Sequence, residues 1–289
     1  INLKEALMEK IALITDSSCG LFEDYLNEYD IHLLRLKIIY KDREYTEGID
    51  ITSEDVYKNL ENELPTTSMP SVSDTNNLLN ELLKKGYTHV IALPISSGLS
   101  GTINSIRLAC ESFEGKLESF IFDTKLVSMA NGLFVIEVAK LIKEGKSFAE
   151  ICNLIPKIRE KTNIYFTVDT LEYLIKGGRI GRLSGNIGEL LNLKPIIVMN
   201  DECKYSSISK VRGTKQAIKK LINIGEKALS KGKCSITVSC GTMLDEAKML
   251  QEAFSKNPNA NMIYSKTISS VIGIHSGPKA FGFAIIEEY

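Results

Sequence analysis

At 289 residues, with 35 Lys and Arg set against 36 Asp and Glu, the chain is long enough for two domains and carries a formal net charge of −1. That balance gives no basic field for holding nucleic acid or an anionic membrane surface, and no block of five like charges interrupts it. The six cysteines form no CxxC pair, Ile1–Lys10 mixes acids and bases without an apolar run, and no stretch approaches 18 apolar residues, so reduced thiols in a cytoplasmic protein are expected rather than a disulfide framework, a signal peptide or an integral membrane segment.

Residues 1–7 read as an extension ahead of the fold. Ile11–Thr15 is a short apolar run that leaves the core at Asp16-Ser17-Ser18, and His32–Tyr40 reads as a second strand. Thr52 is placed to N-cap a helix through Ser53-Glu54-Asp55, and Asp74 to cap another over Asn76–Lys85. Thr88–Ile95 is a buried strand, followed by the loop Ser96-Ser97-Gly98-Leu99-Ser100-Gly101 and a helix over Thr102–Phe113. Leu117–Phe122 is the next strand, and helices follow over Val127–Lys143 and Ser147–Lys161. Strands alternating with helices predict a parallel sheet covered on both faces, an α/β/α domain over residues 9–161. Ser17-Ser18, Ser96–Thr102 and Asp123-Thr124 all emerge at the carboxyl edge of that sheet, where such folds bind ligands.

The second half changes rhythm near Lys161–Asn163. Ile164–Val168 is a strand and Thr170–Lys176 a short helix that runs into Gly177-Gly178-Arg179-Ile180. Lys194–Met199 and Tyr205–Val211 flank Asn200-Asp201-Glu202 as an antiparallel hairpin. Helices at Thr214–Leu229 and Thr242–Phe254 sit beside strands at Cys234–Ser239 and Met262–Thr267, and Ala280–Ile286 closes the chain. Residues 162–289 are therefore expected to be a smaller α+β domain, a mixed sheet with helices on one side. The fold class is α/β in two domains.

Three hydroxyl- and glycine-rich clusters stand out: Thr67-Ser68-Met69-Pro70-Ser71, Ser96–Thr102, and His275-Ser276-Gly277-Pro278. Small hydroxyls on tight loops approach a ligand closely and suit one polar group, a carboxylate or a phosphate, at the edge of an apolar scaffold. Machinery for bond-breaking is thin. The segment around Ser100 fails the G-x-S-x-G elbow because Gly101 follows the serine directly. Gly145-Lys146-Ser147 lacks the first glycine of a P-loop, its place being taken by Lys140, and a helix precedes it. The three histidines have no metal-ligand spacing, and His32 and His89 merely introduce strands. His275 differs, since the Ser-Gly-Pro turn after it is expected to expose its side chain to a ligand. Arg179 and Arg212 each sit beside glycine in the second domain; a solvated charge is the plain reading of either, and the pair together favours anion recognition or a partner surface. From the residues alone, a serine esterase using Ser100 and His275 stays open, as does a ligand-free sensor or structural protein.

In this order and spacing, Thr15-Asp16-Ser17-Ser18, Thr67-Ser68-x-Pro70-Ser71, Ser96-Ser97-x-Leu99-Ser100-Gly101-Thr102, Leu171-Glu172-Tyr173-Leu174-x-Lys176-Gly177-Gly178-Arg179-Ile180, Lys210-x-Arg212-Gly213 and His275-x-Gly277-Pro278 resemble the DegV family from Lys10 to Glu287. The resemblance implies a bacterial fatty-acid-binding protein that works with a fatty acid kinase, holding a long-chain fatty acid such as palmitate or a C18 acid between two domains. It implies that Ser68 and Ser100 hydrogen-bond the carboxylate, with Thr67 and Ser96 in the same group, and that His275 fixes the head group. It implies that Arg179 and Arg212 belong to the surface the kinase engages, and it implies neither a cofactor nor a catalytic residue. Met69 stands where glutamine is usual in the family, and Lys279 where glycine commonly follows Pro278.

Overall fold

The computed structural model describes residues 9–186, 193–242 and 245–289; the expected extension at residues 1–7 lies outside them. β1 (Ile11–Asp16) is buried along nearly its whole length and pairs in parallel with β2 (Ile31–Leu34), the helix α1 (Glu23–Glu28) lying between them in sequence. The expected strand His32–Tyr40 is not one element. Leu34, Leu36, Ile38 and Tyr40 are all buried, so the alternation is continuous, but the two halves join different sheets. β1 ends at Asp16 and turns through the 3-10 segment Ser17–Cys19, which leaves nothing for the run to pair with beyond Leu34. The Ser17 hydroxyl instead accepts the Leu36 amide at 3.0 Å, and the chain leaves as β3 (Lys37–Ile39).

β3 is the centre of a three-stranded antiparallel sheet with β4 (Glu44–Thr46) and β5 (Thr66–Ser68) on either side. Thr67 and Ser68, expected on a tight loop, are thus strand residues held in register with Ile38 and Lys37. Two capping boxes punctuate this region. Thr52 caps α2 (Ser53–Asn59) with Asp55 as reciprocal partner, as expected. At α3 (Val72–Lys84) the cap is Ser71, and Asp74 is the third helical residue reaching back to it, because serine can satisfy the Asp74 amide while its own amide takes the carboxylate.

The parallel sheet is completed by β6 (His89–Ala92) and β7 (Glu118–Ile121), with α4 (Thr102–Glu111) between, in the order β2-β1-β6-β7. α5 (Ser128–Lys143) follows, and every residue from Ser128 to Ala139 is buried. α6 (Phe148–Lys161) leads directly into β8 (Thr162–Thr167), the first strand of a six-stranded sheet. The rest of that sheet is β9 (Lys194–Met199), β10 (Tyr205–Val211), β11 (Cys234–Cys240), β12 (Ala260–Thr267) and β13 (Phe281–Glu287). Its order is β10-β9-β8-β13-β11-β12, antiparallel except for the β11–β12 pair. Between strands lie α7 (Glu172–Lys176), α8 (Thr214–Leu229), α9 (Asp245–Ser255) and α10 (Ser270–Ser276). Thr242 precedes the described part of α9, and residues 243 and 244 lie outside the described set.

The second domain's long helices lie on one side of this sheet, as expected, but its other face is covered by a helix of the first domain. α8 and α9 pack on one face, where Leu221, Leu250 and Phe254 meet Ile236 and Phe283. α5 covers the other face, where Phe134, Val138 and their neighbours meet Ile164, Ala284 and Ile286. The same helix also packs on Leu13 and Ile91 of the parallel sheet. A helix apolar on one stripe serves one sheet; α5 is apolar all round and serves two. Phe134, near the middle of the helix, is fully buried in the cluster that both sheets share. Phe134→Ala is expected to cost about 3–5 kcal/mol, read as a lowered urea midpoint by circular dichroism; a loss under about 1 kcal/mol would contradict the shared-core role.

Candidate functional site: a cavity between the two domains

All four strands of the parallel sheet end on one side, and their following loops are tied to each other by the carboxylates of Asp16 and Asp123. Asp16 is fully buried and accepts from Ser18 on one oxygen and from the Ile95 amide, at 2.7 Å, on the other. Asp123 accepts the Ser97 and Lys125 amides at 3.2 and 3.1 Å. The loop Ser96–Gly101 is shaped by these contacts and by its own turn, in which the Leu99 and Ser100 amides both donate to the Ser96 carbonyl.

The tip of the β9–β10 hairpin closes onto this loop from the second domain. The Ser96 hydroxyl donates to the Cys203 carbonyl at 2.9 Å, and Cys203 Sγ approaches Asp123 at 3.5 Å. Gly98 passes so close that a Cβ there would stand 2.1 Å from the same carbonyl oxygen, which only glycine avoids.

Between loop and hairpin lies a cavity of about 150 Å³. The first domain contributes Thr67, Ser68 and Met69 from β5 and its end, Leu36, and Ile95, Leu99, Ser100 and Gly101. The second contributes Arg179, Tyr205, Val271, Ile272 and His275. Ile95, Leu99 and Tyr205 belong to the core cluster built around α5, so the cavity is polar on one side and backs onto the main apolar core.

His275 is not on an exposed turn. It lies in the last turn of α10, half-buried, with Nε2 2.8 Å from Thr67 Oγ1 across the domain junction. Its Nδ1 has no hydrogen-bond partner and faces Gly177, where a Cβ would stand 2.1 Å from that nitrogen. Burial, helped by the nearby Arg179 charge, pushes the imidazole down to about 4. Arg179, expected at a partner surface, lines the cavity instead: Nε donates to the Leu99 carbonyl at 3.2 Å and Nη1 to the Gly177 carbonyl at 2.5 Å. Helix α7 ends at Gly177, and the two carbonyls fold the guanidinium back inward. Among the described residues no acid lines the cavity, so its field is that of one guanidinium among neutral donors.

Thr67, Ser68, Ser100, His275 and Arg179 therefore meet at one cavity. Ser96 does not line it; its fully buried hydroxyl serves the hairpin contact. Arg212 is exposed at the end of β10, ahead of α8, and does not line the cavity. Tyr205 was missed in sequence. It is 4% exposed, its hydroxyl is pushed up by burial, and nothing local marks it as the wall opposite Ser100. The esterase arrangement has no support in the geometry. Ser100 Oγ sits 2.9 Å from Thr102 Oγ1, and His275 Nε2 is engaged with Thr67. With Nδ1 unpartnered, no acid orients the ring, and an imidazole at about 4 is a weak base.

The fold and the cavity define a two-domain α/β protein that encloses a small cavity, polar on one side, between its domains. The chain belongs to the DegV family: residues 10–288 match the family described as uncharacterised protein, DegV family. It is 47% identical over 281 residues to a DegV domain-containing protein of Clostridium acetobutylicum, covering 97% of this chain and all of the relative. A DegV domain-containing protein of Streptococcus pneumoniae is 32% identical over 279 residues, covering 96% of this chain and 99% of that one. Among solved structures, the chain is similar to a DegV family protein from Thermus thermophilus described as binding fatty acid, with a TM-score of 0.90 and 28% identity over 96% of this chain and all of that one. It is also similar to DegV of Bacillus subtilis, a fatty acid binding protein, with a TM-score of 0.89 and 29% identity over 97% of this chain and all of that one.

The His275 environment has a measurable consequence. The unfolded imidazole titrates near the ordinary 6.5 and the folded one near about 4. The unfolded state therefore binds the extra proton between these values, and stability is retained above 6.5 and lost as pH falls toward 4. The loss is on the order of 3 kcal/mol at most. The difference between the stability–pH profiles of wild type and His275→Gln should fall through this window; a flat difference would contradict a buried neutral histidine.

Proposed function

We propose that the protein binds one long-chain fatty acid, palmitate or a C18 acid, and presents its carboxylate to an ATP-dependent fatty acid kinase. It is a carrier without a cofactor or catalytic residue of its own, with residues 9–161 carrying the Ser/Thr head-group loops and 162–289 completing the pocket. The observation that carries this reading is the convergence of Arg179, His275, Thr67, Ser68 and Ser100 on a cavity whose rear wall is the apolar core. Its relatives of known structure from Thermus and Bacillus are fatty-acid-binding proteins, which supports the same ligand class here.

The division of labour follows from magnitudes. Burying the tail is worth about 0.8 kcal/mol per methylene, roughly 10 kcal/mol for a 16- to 18-carbon chain before ordering costs. A cavity of about 150 Å³ takes a benzene-sized group, hence a carboxylate and its first carbons, and Ile95 and Leu99 of the apolar core stand in its wall. Orientation comes from the polar side. A lone pair buried without a partner costs less than a buried N–H, which puts the His275 proton on Nε2. Nε2–H then donates to Thr67 Oγ1, leaving the Thr67 hydroxyl proton for the ligand. Ser68 and Ser100 add neutral donors, and Arg179 balances the carboxylate charge. In the kinase, a carboxylate oxygen attacks the γ-phosphorus of ATP, the bond to the β–γ bridging oxygen breaks, and ADP leaves. Arg212, exposed beside Gly213, is assigned to the kinase contact, whereas Arg179 is assigned to the head group.

Mass spectrometry of a lipid extract of the purified protein should find a C16 or C18 fatty acid, and the absence of any co-purifying or exchangeable fatty acid ends this reading. Ser68→Ala with Ser100→Ala should weaken palmitate binding about tenfold or more while circular dichroism stays unchanged. Arg179→Ala should weaken binding as well, whereas Arg212→Ala should spare binding and slow phosphoryl transfer; equal effects of the two arginine variants on binding would contradict this division.

A further inference from the structure

α10 carries His275 but has no cap of its own. Its N-cap, Ser269, makes no side-chain capping bond, and the Ser269 hydroxyl is buried without a partner. The first turn is capped from the other domain by Glu47. Glu47 is 5% exposed, and its Oε1 accepts the Ser270 hydroxyl at 2.9 Å and the Val271 amide at 3.1 Å. Its backbone is clamped in the first domain at both ends, the amide donating to the Leu36 carbonyl at 3.1 Å and the carbonyl accepting from Arg35 Nη1 at 3.1 Å. The carboxylate therefore reaches from a fixed base into the second domain and grips the helix between Ile268 and the cavity-lining Val271 and Ile272.

We infer that Glu47 is the positioning residue of the head-group site: by capping α10 across the domain junction it sets where His275 meets Thr67. Glu47 does not itself line the cavity, and its carboxylate meets the site through the first turn of α10. Val271 and Ile274 pack with Leu36, Ile38 and Tyr57 on the apolar side of α10, but other polar anchors are few. Tyr57 donates to the Ile268 carbonyl at 3.1 Å, before the helix starts, and the Thr67–His275 contact lies at its far end. Removing Glu47 leaves the first-turn amide at Val271 and the Ser270 hydroxyl without an acceptor inside the protein. The groups facing the Glu47 carboxyl are Ser270 and Val271 from α10, the Ser17 hydroxyl, Tyr57 from α2, and Asp16 at the end of β1. Burial, with the Asp16 charge adding to it, holds the Glu47 carboxyl above the usual range, and the Ser17 hydroxyl first, then the α10 donors, oppose that rise. Oε2 has no partner within hydrogen-bond geometry, so a glutamine keeps the Oε1 cap on the helix, while its amide nitrogen faces the Ser17 hydroxyl, which can turn to accept from it.

The test is carried out on the full chain with Glu47→Ala and Glu47→Gln, reading the His275 ring by histidine-labelled NMR against pH and palmitate affinity in parallel. The affinity arm rests on the carrier reading; the imidazole titration needs no ligand. In Glu47→Ala the His275 midpoint should rise from about 4 by about one unit or more as the ring gains solvent, with palmitate affinity falling about tenfold. Glu47→Gln should keep both close to wild type. A general loss of stability lowers the melting temperature without moving the midpoint of the native ring. An unmoved midpoint in Glu47→Ala, or an equal movement in Glu47→Gln, would overturn the inference. Should Glu47→Ala not fold, Ser270→Ala removes one of the two donors, and a smaller rise of the same midpoint is expected; no rise there overturns it too. If palmitate binds no variant and not the wild type, the carrier reading fails while the titration still decides the positioning role.

Discussion

A helix that is apolar on every side has to be covered on every side, and α5 is such a helix. From Ser128 to Ala139 it offers no polar face to water, so the parallel sheet takes one flank and the six-stranded sheet the other. That single requirement stacks the two domains through a shared core rather than leaving them side by side on a linker. It also fixes where their edges meet. The loops beyond β1, β6 and β7 fall opposite the β9–β10 hairpin, the end of α7 and α10, and the cavity is the space that these elements do not fill.

Charge inside this arrangement is separated by hydrogen bonding. Two buried acids, Asp16 and Glu47, lie close enough to the junction to spoil an anion site, yet neither lines it. Asp16 is used by the Ser18 and Ile95 donors that shape the strand-end loops, and Glu47 by the first turn of α10. Arg179 faces inward because two backbone carbonyls, Leu99 and Gly177, hold it there from both domains. With His275 kept neutral by burial, the cavity has one positive charge and a ring of hydroxyls. That is a field suited to one anionic head group.

Most strands and helices could be read from the chain because their signals are local. The hairpin Lys194–Met199 and Tyr205–Val211 and the helix Thr214–Leu229 match the expected residues, since a turn and an amphipathic period need only neighbours in sequence. Failures cluster where a distant group decides. Leu36 looks like the middle of a strand until the Ser17 hydroxyl takes its amide. Asp74 looks like a cap until Ser71 is seen to hold its amide. His275 and Arg179 look exposed beside Gly277 and Gly178; in the fold Gly177, distant from His275 in sequence, lets that ring approach closely, and the Gly177 carbonyl holds Arg179.

By itself the sequence determined the family, the two-domain α/β class and the residue types that gather at the site, because ordered motifs and apolar periods are properties of the chain. Tertiary structure alone decided which of those residues share the cavity. Ser96 was spent on the hairpin, Arg179 was drawn inward, and Tyr205 and Glu47 entered as wall and support. The physical reason is that burial and hydrogen-bond partners across the junction between the domains come from residues far apart in the chain. Neither composition nor spacing encodes which hydroxyl will face a ligand and which a carbonyl.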